Sequence, residues 1–200
     1  MASSFSLLMA LVGLSCMSLC SLGCKMPLNH RQGNLRALRL LAQMRKISPF
    51  SCLQDRNDFR FPQEEFDGNH HQKIEAVSAV YEMFQQIFNL FISKDSFEVW
   101  NRNLLDRLLN QVFQQIDDLK ACLNEEEETE ETAQVIVKVI YTVRRYFQRI
   151  IFYLQEKKYS SCAWEIVRLE IMKALSITNR FEQKLVMNHT WVNIEKIVID

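Results

Sequence analysis

The chain has only four glycines and three prolines in 200 residues, and all of them lie at or before Gly68. From Asn69 to Asp200 it contains neither of the two residues that punctuate turns, which argues against a sheet protein built on tight hairpins. An excess of charge is also lacking: 24 Lys+Arg balance 24 Asp+Glu, so no net field recruits nucleic acid or an acidic membrane. The four histidines form no H-E-x-x-H pair, and adjacent His70 and His71 would point about 100° apart on a helix, so neither metal nor cofactor is expected. A G-x-S-x-G elbow, a P-loop and a dinucleotide fingerprint are missing too, and nothing supports an enzyme.

What is present points to one domain with a sizeable core, since 48% of the 200 residues are hydrophobic. Phe5 to Leu22 carry no charge and run into Ser21-Leu22-Gly23, a small-x-small site, so Met1 to Gly23 read as a removed signal peptide ahead of a domain over 24–200. The segment lacks the usual basic residue at its start, and its length also admits a retained anchor. After cleavage, Cys24, Cys52, Cys122 and Cys162 remain, an even number that in an oxidising compartment implies two disulfides. Spacing does not choose among the three possible connectivities. No two of these cysteines are close enough for a zinc-type C-x₂₋₄-C pair.

Apolar residues recur at helical spacing. Ile74, Val77, Tyr81, Phe84, Phe88 and Phe91 form one stripe, Leu105, Leu108, Val112, Ile116, Leu119 and Leu123 a second, and Ile136, Val139, Val143, Phe147, Ile150 and Leu154 a third. With a shorter stretch around Leu35 to Met44 and a last helix from Tyr159, five helices are expected. Ile47 to Gln72 form a connection of about 26 residues, long enough to be a crossover that lets the helices on either side run parallel. The acidic run Glu125 to Glu131 reads as a solvated loop, with Thr132 a candidate N-cap.

The segment "YSSCAWEIVRLEIMKAL" (159–175) carries two apolar stripes. Wound at 100° per residue, Trp164, Val167, Ile171, Ala174 and Leu175 share an arc of roughly 100°, the width of a core face. Arg168, Leu169, Met172 and Lys173 fall outside it. Apolar positions edged by charge have the composition of a binding patch.

"CAWEIVRLEIMKAL" resembles the signature segment of the type I interferons. "LLAQMRKISPFSCL", "DFRFPQEEF", "QQIFNLF", "LLDRLL" and "RRYFQRIIFYLQEKKYS" are similar to the alpha and omega members at matching positions. The resemblance covers Cys24 to about Phe181. It implies an all-α, five-helix up-up-down-down cytokine bundle with a long first crossover loop, and disulfides joining Cys24 to Cys122 and Cys52 to Cys162. It also implies a secreted, extracellular ligand, monomeric when active and not inserted in a membrane after signal removal, that engages both chains of the type I interferon receptor for antiviral and antiproliferative signalling. Matching positions for the tight-binding chain are Leu53, Arg56, Arg168, Leu169, Met172 and Lys173. For the weaker chain they are Glu82, Gln85, Phe88, Asn89, Leu104, Leu109, Phe113 and Arg144. Lys173 replaces an arginine, and Leu109 and Phe113 stand where alpha members often have tyrosines. The alternative is a secreted bundle that carries an apolar ligand, but the inner stripes are crowded with large side chains. Residues 185–200 form a divergent tail, and Asn188-His189-Thr190 is the only N-x-S/T sequon.

Overall fold

The computed structural model describes residues 28–67, 73–124 and 130–199. The signal segment, Cys24 and most of the acidic run lie outside them, as does the side chain of Asn188.

The described residues form an all-α bundle: α1 (Leu28–Gln43), α2 (Lys73–Phe91), α3 (Lys94–Val99), α4 (Arg102–Leu123), α5 (Glu130–Glu156) and α6 (Ser161–Ile199). The three stripes lie inward on α2, α4 and α5, with Phe84, Leu105, Leu108, Val143, Phe147 and Ile150 among the fully buried residues. Five long helices agree with the expectation, and α3 is an addition. Its six residues are too short to show a period, but Ser93 marks its start by accepting the Ser96 amide at 3.3 Å. Asn101 caps α4 the same way, accepting from the Leu104 amide at 3.2 Å. Thr132 is not an N-cap, because α5 already begins at Glu130.

Side-chain ties fix the helix directions. His30 meets Glu182, Asn34 donates to the Leu175 carbonyl and Leu41 accepts from Arg168, so α1 and α6 run antiparallel. Phe66, just ahead of α2, meets Phe181 edge-on, while Phe91 at the end of α2 meets Trp164, so α2 is antiparallel to α6 as well. α1 and α2 are therefore parallel, as the long crossover requires. Gly33 leaves room on α1 for the Gln115 side chain of α4, since a Cβ there would collide with its amide. No helix among the described residues is long and apolar enough to cross a membrane.

The crossover carries two 3₁₀ turns, Pro49–Asp55 and Gln63–Phe66, and Phe59 and Phe66 are buried in the bundle. Trp164, in the first turn of α6, is fully buried against Phe91, Trp100 and Tyr159, where the ends of several elements meet.

Candidate functional site

The crossover and the start of α6 form one assembly because the chain is tied there repeatedly. Cys52 is bonded to Cys162, with Cα atoms 5.3 Å apart. Tyr153 of α5 donates to the Asp55 carbonyl at 2.7 Å, and Lys157 pairs with the Asp55 carboxylate at 3.1 Å. Arg149 donates to the carbonyls of Phe59 at 2.8 Å and Arg60 at 2.9 Å, holding the loop where Arg60 takes a left-handed conformation of φ 53°. Burial pushes the Tyr153 hydroxyl up to about 12, with the nearby Asp55 carboxylate adding to the effect. Burial also lowers the Arg149 guanidinium, as do the neighbouring charges of Arg145 and Arg60. The residues that make these ties escaped sequence reasoning, because a charged or hydroxyl side chain on a helix does not announce a distant carbonyl partner.

Beside this anchor the loop exposes Leu53 (44%) and Arg56, and Phe50, 79% exposed, joins them. The hint in the sequence is a Phe that follows Pro49 in "SPFSCL", in the crossover and outside every helical stripe. On α6, Lys173 is exposed and Leu169 and Met172 are half-buried, while Trp164, Val167, Ile171, Ala174 and Leu175 are fully buried as expected.

Arg168 corrects the two-stripe reading. It was expected outside the core arc but is 2% exposed, because α6 is enclosed on all sides from Ala163 to Arg168. Its guanidinium forms a bidentate pair with buried Glu165 and donates to the Leu41 carbonyl at 2.9 Å. That carbonyl is one of the last four of α1, which have no partner within their own helix. Arg168 thus caps α1 and steadies Met172, whose sulfur lies 3.0 Å away, and has no surface for a direct contact. The signal was Glu165 and Arg168 themselves, opposite charges at i,i+3 within an apolar run.

The second group of positions lies on α2, α4 and α5. Phe88 is half-buried and its ring meets Phe113, which is 51% exposed, at 6.1 Å. Asn89 is exposed, Leu104 is half-buried, and half-buried Gln85 donates to the Tyr81 hydroxyl at 3.0 Å. Arg144 reaches across from α5 to Glu82 at 2.7 Å, and this hydrogen bond, with the carboxylate charge behind it, raises the guanidinium pKa. Glu82 is 2% exposed and also accepts from Gln86 at 2.8 Å, so it orients Arg144 rather than meeting solvent. Leu109, at 9% exposure, also points inward. Glu82 and Leu109 therefore join Arg168 as expected contacts that the fold places inside. Cys122 is disulfide-bonded, and its expected partner, Cys24, lies outside the described residues.

An apolar carrier needs an apolar cavity. The clefts found between α1 and α4, about 380 and 200 Å³, are lined by arginines and amides instead. Among the described residues no cluster of His, Cys, Asp or Glu is suited to hold a metal.

Two parallel helices joined by a crossover pinned over the bundle, with exposed apolar and basic side chains beside the pin, define a helical bundle of the long-crossover architecture that cytokines share. Residues 26–185 match the interferon alpha/beta domain, and the chain belongs to that family. It is 56% identical to interferon alpha-21 of Homo sapiens over 185 residues, covering 92% of this chain and 98% of that protein. It is 58% identical to interferon alpha-2 of Equus caballus over 183 residues, covering 92% and 100%. Zebrafish interferon 2 superposes with a TM-score of 0.65 at 27% identity, over 78% of this chain and 99% of that structure. The protein is a type I interferon, a cytokine and not an enzyme.

Proposed function

We propose that the chain is secreted after loss of residues 1–23, leaving a domain over 24–200, and acts as a monomer that bridges the two chains of the type I interferon receptor, through which the alpha members of the family act. The tight-binding chain meets the crossover and α6 through Phe50, Leu53, Arg56, Leu169, Met172 and Lys173. The weaker chain meets α2, α4 and α5 through Gln85, Phe88, Asn89, Leu104, Phe113 and Arg144. Arg168, Glu82 and Leu109 act from within, by placing the residues around them. The observation that carries this reading is the Cys52–Cys162 bond, which sets Leu53 and Arg56 beside the start of the helix that bears Leu169 and Met172. Asn188 is proposed as a glycan acceptor, tested by a mass shift of the secreted protein on glycosidase treatment.

Cells challenged with virus should be protected by the purified protein, and an antibody that blocks the type I receptor should abolish that protection. Protection that survives the blockade refutes the assignment.

A further inference from the structure

Neither proposed receptor face includes α1, yet its outer side is not bland. Between α1 and α4 runs a groove of about 380 Å³ lined by Arg36, Arg39, Gln43, Arg107, Asn110 and Gln114, among others. A second cleft of about 200 Å³ shares Arg36, Gln111 and Gln114 and continues it to Gln32. From residue 32 to residue 43 the α1 wall is roughly 16 Å long at the helical rise. Arg36, Arg39 and Arg107 are all exposed. None makes an ion pair among the described residues: the nearest acid in sequence, Asp106, is turned to Arg102 at 3.7 Å, and only Asp118 lines the far cleft. Three unneutralised guanidiniums therefore converge on one trough of a chain whose formal net charge is zero.

The lining selects among anions. Guanidinium forks match the paired oxygens of sulfate or carboxylate, and the surrounding amides both donate to and accept from hydroxyl groups. No aromatic side chain lines either cleft, so nucleic-acid bases have nothing to stack on. Among the described residues Leu40 is the one hydrophobic side chain lining the main groove, and it is buried, so none is poised to enter a lipid surface. A linear polymer with regularly spaced anionic groups and hydroxyls satisfies both sets of partners. We propose that the α1–α4 groove binds a sulfated glycosaminoglycan chain of the extracellular surface, held by Arg36, Arg39 and Arg107. On α4 the groove residue Gln114 is about 100° around the helix from Phe113, while Arg107 follows Leu104 by three positions, so the groove lies apart from Phe113 and borders the proposed receptor face at Leu104.

The test uses the secreted protein on immobilised heparin at about 0.15 M ionic strength, with elution by salt. Three forms are compared: the unaltered chain, the groove variant Arg36→Gln/Arg39→Gln/Arg107→Gln, and a control with the same charge loss elsewhere, Lys94→Gln/Lys138→Gln/Arg180→Gln. All substituted residues are exposed, and thermal melts verify that the forms remain equally folded. The unaltered chain and the control should be retained alike, while the groove variant binds roughly tenfold or more weakly. Chemically desulfated heparin should retain none of them. Passage of the unaltered chain straight through the column overturns the proposal, as does equal loss in the two variants. Equal or stronger retention on single-stranded DNA, or on phosphatidylserine vesicles, overturns it in favour of a charge-only surface.

Discussion

The two proposed receptor faces are built by different means. The face on α2, α4 and α5 consists of helix surfaces whose neighbours are set by core packing, with Glu82 and Arg144 as the polar tie across it. The crossover–α6 face is half loop, and that half holds its place through long-range ties: one disulfide, Tyr153 and Lys157 on Asp55, and Arg149 on Phe59 and Arg60. The first face exists wherever the bundle folds. The second exists only while its ties hold, so damage to them should separate the two activities of one molecule.

The largest effect should come from inside. Arg168→Ala leaves Glu165 buried and unpaired, and should cost about 3–5 kcal/mol in denaturant unfolding. Replacing both residues by Met removes the stranded charge and should recover most of the loss. The double variant should lose no more tight-chain binding than Met172→Ala does, because Arg168 acts by placing Met172. A clearly larger loss in a well-folded double variant would make Arg168 a direct contact.

Removing the bridge with Cys52→Ser/Cys162→Ser should cost about 2–5 kcal/mol and weaken the tight chain far more than the weaker one. Surface-plasmon affinities for the two isolated receptor chains measure that ratio, and an equal loss on both would erase the contrast between the faces. Met172→Ala should change unfolding by at most about 1 kcal/mol while weakening tight-chain binding by ~1–2 kcal/mol. Binding unchanged in that variant removes Met172 from the face.

The smallest effect concerns one tie. Tyr153→Phe should cost about 1 kcal/mol at neutral pH. Because burial raises the folded-state value from 10 to about 12, the neutral hydroxyl's contribution is intact below pH 10 and lost as pH rises through 12. Unfolding profiles of the two proteins should therefore converge over that interval. Parallel profiles would mean that the hydroxyl is not held as described.

The bundle was legible because the helical part has no breakers and its stripes keep time with the helical turn, and the parallel pair followed from the length of the crossover. α3 was not, because six residues cannot display a period. Nor was the interior position of Arg168, Glu82 and Leu109. Winding a helix divides it into a wet and a dry side, but α6 has no wet side between Ala163 and Arg168, where charge is satisfied by charge. Glu82 likewise finds its partner 62 residues away, beyond any local pattern.

The bridge between Cys52 and Cys162 spans 110 residues, and the loop's other anchors are as remote. A chain made from its N-terminus exposes Leu53 and Arg56 long before Arg149, Tyr153 or Cys162 exist to receive them. Their placement awaits the making of α5 and the start of α6, since contacts so distant in sequence become available only after the intervening chain is in place. During that interval Cys52 is a thiol without its partner, free to pair wrongly. The surface proposed for the tight chain is thus assembled late, and an interrupted chain that ends before Cys162 carries its loop residues with no site to present.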